Sequence, residues 1–367
     1  MAENLTGKVA VVFGTRPEII KLAPVLLALG ADGHPVFTGQ HYDAELTDAV
    51  FRSCGLPVTA PTLAGVGGGT RAQQVATMVD QLSQLFTRSR PRAVVVQGDT
   101  NTTNAGAQAG HYLGIPVVHV EAGLRSHDRA MPEETNRLLV SALADVHCAA
   151  TPENARNLLD GAVPAEAVFV TGNPIVEAVA NLLPDEAEGA RLLAAHGLPE
   201  RFVLATVHRP ENTDDPARLG ALLDGLGRLG SPVALPLHPR TRKALATWGT
   251  AVPAAVQVLP PVDYRTFLAF TRSASLLVSD SGGLQEEVTV LKKPLVVVRT
   301  STERPESVAA GFSVLSEPEH LVEHAERMSS PQVLARLAAT PSPYGDGLAS
   351  QRIATLARGG ALTPQTA

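Results

Sequence analysis

The chain has 367 residues and a formal charge of −6; 44% of its residues are hydrophobic and only 4% aromatic. That length exceeds one ordinary domain, and the apolar share can fill real cores, so two lobes are expected and a disordered chain is excluded. The acidic balance excludes a basic nucleic-acid footprint, the few aromatics disfavour base-stacking platforms, and no apolar run approaches the roughly 20 residues of a membrane helix.

Met1–Lys8 lacks an apolar stretch behind a basic start, so no leader is expected. Two cysteines, Cys54 and Cys148, lie far apart without a CxxC pairing and read as buried thiols in a reducing, cytoplasmic compartment. Lys8–Phe13 reads as a strand. Pro17 then opens a helix with apolar residues at Ile19, Ile20, Leu22, Val25, Leu26 and Leu29. Strands are predicted at Val36–Thr38, Ala93–Gln97, Val117–Val120 and Val168–Val170, with helices over 71–86, 101–113, 133–144 and 153–160. The pattern restarts after Thr171-Gly172-Asn173-Pro174. Further strands are expected at Phe202–Thr206, Pro232–Pro236, Val256–Leu259, Ser275–Val278 and Leu295–Val298. Strands alternating with helices predict an α/β chain of two Rossmann-like, doubly wound lobes facing a central cleft. The first lobe is expected over 1–172 with a returning helix near 347–367, the second over 173–346.

In such sheets ligands bind where strands end and loops begin. Gly14-Thr15-Arg16 follows the first strand and opens a helix, so the turn could hold an anion and Arg16 clamp a phosphate; a plain turn with an exposed arginine reads as well. Lys21, one turn on, reads locally as a solvated lysine. Asp99 ends a strand as an acid, a base or a helix cap. Glu121 ends an apolar strand, where a carboxylate needs partners or a purpose, while His119 within that strand reads as a core histidine. Glu133 and Arg137 stand at i, i+4 on a helix, the spacing of an ion pair. In the second lobe, His208 and Arg209 follow a strand, and His238 reads as a loop histidine. Ser281-Gly282-Gly283 opens a helix whose bare N–H groups suit phosphate, Glu287 one turn in suits ribose hydroxyls, and Arg304 offers another cation. No Walker lysine, zinc spacing or nucleophile elbow appears.

The ordered set GTRPEIIKLAPV (14–25), TGQHYD (38–43), QGDTNTT (97–103), HVEAGLRS (119–126), MPEETNR (131–137), VHRPEN (207–212), DSGGLQEE (280–287), TERPE (302–306) and PYGDG (343–347) resembles the non-hydrolysing UDP-N-acetylglucosamine 2-epimerases. The resemblance covers nearly the whole chain. It implies a fold like that of the GT-B glycosyltransferases, a homodimer, and interconversion of UDP-GlcNAc and UDP-ManNAc with no cofactor or metal. It implies catalytic roles for Asp99, Glu121, Glu133 and His208. It implies substrate or UDP contacts for Arg16, Lys21, Arg137, Arg209, His238, Ser281, Gly282, Gly283, Glu287 and Arg304. Glu177 stands where many members have Asp, Pro210 where an Arg is common, and the segment from Arg125 to Pro132 is short. The short form also occurs in relatives acting on UDP-diacetamido-uronic acids, so such a sugar is the alternative substrate; a nucleotide-sugar-binding protein without catalysis is the other alternative. Gln40, His41, Arg209 and His238 match part of a regulatory UDP-GlcNAc site in the family. Asp43 and Gly68-Gly69-Thr70 depart from it, which predicts hyperbolic kinetics without an activator.

Overall fold

The apolar runs of the chain become the strands of two parallel sheets. In the computed structural model, which describes residues 4–40, 44–58 (44–46 by their backbone alone) and 62–364, the chain divides into two units. One comprises Met1–Asn181 and Tyr344–Ala367, the other Leu182–Pro343.

The first unit carries six strands: β1 (Val9–Phe13), β2 (Gly33–Phe37), β3 (Ala93–Gln97), β4 (Val117–Ala122), β5 (Val146–Ala149) and β6 (Val168–Val170). Their order is β2-β1-β3-β4-β5-β6, all parallel. Every residue of β1, β3 and β4 is buried, as expected of strands covered by helices on both faces. Met78, Leu82 and Phe86, on the helix Arg71–Arg88, pack with Val94, Val96 and Val117. A fully buried side chain of this size contributes about 1.5–3 kcal/mol. Cys54 and Cys148 are free and buried, and desolvation pushes the Cys54 thiol up to about 12.

The second unit carries β7 (Val203–Thr206), β8 (Val233–Pro236), β9 (Val256–Leu259), β10 (Leu276–Ser279), β11 (Leu295–Val297) and β12 (Ser313–Leu315). Their order is β12-β11-β10-β7-β8-β9, again parallel. Each sheet therefore has one point where the strand order reverses, between β1 and β3 and between β7 and β10. That is where a doubly wound sheet opens a crevice for ligand.

Two strands escaped the sequence reading. β5 carries His147 and Cys148 in place of a β-branched run, and β12 has only three residues. β2 begins three residues before the expected Val36, and β4 runs on through Glu121 across a bulge. The units divide at 181/182, one helix beyond the expected boundary near 172, and the chain returns at Tyr344. Bonds from backbone N–H groups tie this stretch to the returning segment: Asn173 N–H donates to Tyr344 O (2.8 Å) and Ser350 N–H to the Glu177 carboxylate (2.7 Å). The helix Ala349–Ala357 then packs on the helix Arg16–Leu29. Among the described residues no helix is long and apolar enough to cross a membrane.

Candidate functional site

At the end of β1 the backbone approaches its neighbours so closely that only glycine fits. A Cβ on Gly14 would stand 2.1 Å from Thr102 Oγ1. The helix Arg16–Leu29 starts immediately afterwards. Glu18 turns back and accepts from Gly14 N–H (3.1 Å), Thr15 N–H (2.8 Å) and the Thr15 hydroxyl (2.8 Å), a capping box. Its other oxygen accepts from the Thr100 hydroxyl (2.8 Å), so one carboxyl ties the end of β1 to the segment after β3. Desolvation dominates over these bonds and pushes Glu18 up to about 7. Glu18 thus satisfies the N–H groups of Gly14 and Thr15, just ahead of this helix. Arg16 is exposed, with no hydrogen-bond or ion-pair partner among the described residues.

Glu121 lies where β4 bulges, with φ of 61°. A glutamate in this region costs about 1–3 kcal/mol and persists only where its surroundings over-determine it. They do so here. Oε1 accepts from Lys21 Nζ (2.6 Å) and Asn173 Nδ2 (3.3 Å), and Oε2 from Gln97 Nε2. Lys21 is 6% exposed, so the local reading of a solvated lysine was wrong: the helix turns it inward onto Glu121. His119 is buried, with Nε2 2.8 Å from Gly98 O, but its Nδ1 has no partner among the described residues. The satisfied core histidine is therefore only half satisfied. Desolvation pushes it down to about 4, which keeps the ring neutral.

Asp99 does not cap the following helix; Thr100 does, accepting from Thr103 N–H (3.1 Å). The Asp99 carboxylate instead accepts from Arg137 Nε (3.0 Å) and Nη2 (2.6 Å). The same arginine holds Glu134 through Nη1 (2.9 Å). The expected Glu133–Arg137 pair does not form. Glu134 is the buried structural carboxylate, also accepting from Ser126 N–H (2.9 Å) and hydroxyl (3.0 Å). Glu133 is half-buried and, among the described residues, has no hydrogen-bond or ion-pair partner.

In the second unit the ends of β7 and β10 are joined by a bond between the Thr206 and Ser279 hydroxyls (2.7 Å). Asp280, fully buried, accepts from His208 N–H (2.9 Å), Arg209 N–H (2.8 Å) and Asn212 Nδ2 (3.0 Å). The His208 ring places Nδ1 3.1 Å from the same carboxylate. Its centroid lies 5.1 Å from that of His238, which is no plain loop histidine: it caps the helix Pro239–Trp248, accepting from Arg240 N–H (3.2 Å).

The helix Gly282–Leu291 starts with no side chain capping it. Gly282 lies against Arg304, since a Cβ there would stand 2.6 Å from the guanidinium. That guanidinium is held by Glu286 (2.7 Å) and Glu303 (2.6 Å). Glu303 also binds Arg299 (2.9 Å) and faces Arg209 (3.7 Å). Burial pushes Glu303 up, but Arg304 and Arg299 outweigh it and hold its carboxyl well below the usual range. Glu287 accepts from the Tyr264 hydroxyl (3.0 Å).

The first unit thus brings together Lys21, Asp99, Glu121 and Arg137; the second gathers His208, Arg209, Ser281–Gly283 and Arg304. Asp280, Gln97, Asn173, Glu18 and Glu303 were missed as site residues. Asp280 stood in the DSGG motif and Gln97 ends a strand, so position was their available signal. Nothing local pointed to Asn173. Gln40 accepts from Thr102 N–H and hydroxyl (both 2.9 Å). His41 and Asp43 lie outside the described residues. Among the described residues no group of three or more His, Cys, Asp or Glu is placed to hold a metal ion.

The model of the family described as UDP-N-acetylglucosamine 2-epimerase matches residues 30–358. The UDP-N-acetylglucosamine 2-epimerase of Methanocaldococcus jannaschii is 35% identical over 362 residues, 94% of this chain and 97% of that protein. The UDP-2,3-diacetamido-2,3-dideoxy-D-glucuronate 2-epimerase of Pseudomonas aeruginosa is also 35% identical, over 95% of this chain and 98% of that one. The crystal structure of the M. jannaschii enzyme in complex with UDP-GlcNAc and UDP superposes with a TM-score of 0.87, covering 96% of this chain and all of that one. The Neisseria meningitidis enzyme bound to UDP-GlcNAc gives 0.85 at 32% identity, over 95% and 99% of the two chains. With strand order, strand-end chemistry and full-length similarity in agreement, this chain belongs to the UDP-N-acetylglucosamine 2-epimerase family of isomerases.

Proposed function

We propose that this chain interconverts UDP-GlcNAc and UDP-ManNAc by anti elimination and re-addition of UDP. The C2 hydrogen of the sugar is not adjacent to a carbonyl, so simple deprotonation has no resonance-stabilised product. Breaking the C1–O bond as C2 loses its proton gives UDP and 2-acetamidoglucal. Re-adding UDP at C1 with a proton delivered to the opposite face of C2 completes the inversion. Two faces require more than one acid/base group.

The observation that carries this reading is the state of the three carboxylates in the first unit. Asp99 rests on Arg137 and Glu121 on Lys21, each fixed by a cation, while Glu133 has no partner among the described residues. These three carboxylates act as the acid/base groups together with His208. Arg209 and the helix start Ser281–Gly283 take the diphosphate, Arg304 adds charge beside that helix start, Glu287 takes the ribose, and Arg16 is a substrate contact offered by the first unit. His238 completes the histidine pair. The protein works as a cytoplasmic homodimer without NAD, ATP or divalent metal.

Incubation with UDP-GlcNAc in deuterium oxide tests the reaction. UDP-ManNAc carrying deuterium at C2 is expected by NMR; product without solvent deuterium would exclude elimination. A second substrate is favoured by the P. aeruginosa relative, as similar as the first: a UDP-2,3-diacetamido uronic acid. Comparing kcat/KM for the two sugars decides between them.

A further inference from the structure

We propose that Asp280 is a positioning residue that fixes His208 as the Nδ1-protonated tautomer and leaves Nε2 as its working nitrogen. The proposal rests on the reaction assigned above and goes beyond it by naming what orients the histidine. Every group around Asp280 is a donor. Oδ2 accepts from His208 N–H (2.9 Å), Arg209 N–H (2.8 Å) and Asn212 Nδ2 (3.0 Å), and Oδ1 from His208 N–H (3.0 Å). The ring nitrogen Nδ1 stands 3.1 Å from Oδ1. A bare Nδ1 there would set one lone pair against another, so Nδ1 carries the proton and donates it. A neutral imidazole has a single N–H, and Nε2 is then the acceptor.

The charges around the ring agree. Desolvation lowers the His208 pKa, Asp280 opposes this, and Arg209, Arg299 and Arg240 lower it further, with the His238 ring at 5.1 Å. His208 therefore meets its ligand uncharged. Asp280 also immediately precedes the helix start at Ser281–Gly283. One buried carboxylate thereby registers the histidine loop after β7 to the uncapped helix start after β10.

Long-range 15N NMR of the histidine-labelled whole protein, with the His208 signals assigned by their loss in His208→Gln, reads the tautomer directly. Protonated Nδ1 and bare Nε2 at neutral pH are expected. Protonated Nε2, or a charged ring, would overturn the proposal. Asp280→Asn is the functional arm. The amide oxygen suits the Oδ2 position with its three donors, which turns the NH₂ towards Nδ1 and reverses the tautomer. The expected result is kcat lowered by about 10²–10⁴ with KM little changed, and the kcat limb belonging to His208 moved to lower pH. Unchanged kcat and pH profile in a folded Asp280→Asn protein would also overturn it. If that variant fails to fold, the wild-type tautomer decides alone. Absence of UDP-GlcNAc turnover by the wild type would sink the assigned reaction and leave the tautomer measurement standing, so the two failures are distinguishable.

Discussion

The two units repeat one topology and fill it with opposite chemistry. After β1 Glu18 turns back onto the N–H groups of Gly14 and Thr15, whereas after β10 the helix start at Gly282 has no side-chain cap. In the first unit the carboxylates Asp99 and Glu121 are held in place by the cations Arg137 and Lys21. In the second the cation Arg304 is held in place by the carboxylates Glu286 and Glu303. A doubly wound sheet fixes where strand-end residues are delivered; the side chains there differ between the units. The proposed division of labour follows: proton transfer in the first unit, nucleotide binding in the second.

The largest test of that division is loss of the carboxylates. Asp99→Asn and Glu133→Gln should each lower kcat by about 10²–10⁴. Glu133→Gln should leave the urea midpoint unchanged, whereas Glu134→Gln, next to it, should cost about 1–3 kcal/mol of stability. Normal turnover in Glu133→Gln, or a stability loss as large as that of Glu134→Gln, would break the distinction between neighbours.

Next comes pH. His119 and His147 are both held near 4 by burial, against about 6.5 in the unfolded chain. Their contribution is complete above pH 6.5 and is lost as pH falls through 4, up to about 3 kcal/mol each. Glu18 runs the other way: raised from 4.5 to about 7, it contributes fully below 4.5 and loses that contribution as pH rises through 7. Urea unfolding between about pH 4 and 8 should show His147→Gln flattening the acid side and Glu18→Gln the alkaline side. If either variant tracks the wild type across its window, that group is not the source.

The second unit is tested by Gly282→Ala, whose methyl must displace the Arg304 guanidinium. UDP binding measured by calorimetry should weaken about tenfold, roughly 1.4 kcal/mol. Unchanged affinity would remove Gly282 and Arg304 from the nucleotide site. The smallest effect is expected from Asp32→Asn. Its exposed pair with Arg358 (2.8 Å) should leave the urea midpoint nearly unchanged, and a clear loss would mean the returning helix depends on it.

The periodic, β-branched strands were legible because a strand buried on both faces reads as an apolar run, as in Val94–Val96. β5 was not legible, because His147 and Cys148 are buried there without announcing a strand. Candidate positions were legible where a polar residue ends such a run, as at Asp99 and Glu121. Partners were not. Lys21 reads as a surface lysine until helix and sheet are packed, and Glu133 and Glu134 exchange roles on a difference of one residue around a helix. Asn173 meets Glu121 across 52 positions of sequence, a distance that no local pattern carries.

Glu18 has a consequence for life in a crowded solution of anions. A tethered carboxylate is a competitor that never diffuses away, so inorganic phosphate, sulfate or pyrophosphate must displace it before reaching the N–H groups of Gly14 and Thr15. The start at Gly282 carries no side-chain cap, and the Glu303 carboxylate beside it is already paired with Arg304 and Arg299. Small anions should therefore inhibit by competing with the nucleotide in the second unit alone. A diphosphate mimic made as an inhibitor finds its open backbone N–H groups in the second unit, at the helix start Ser281–Gly283.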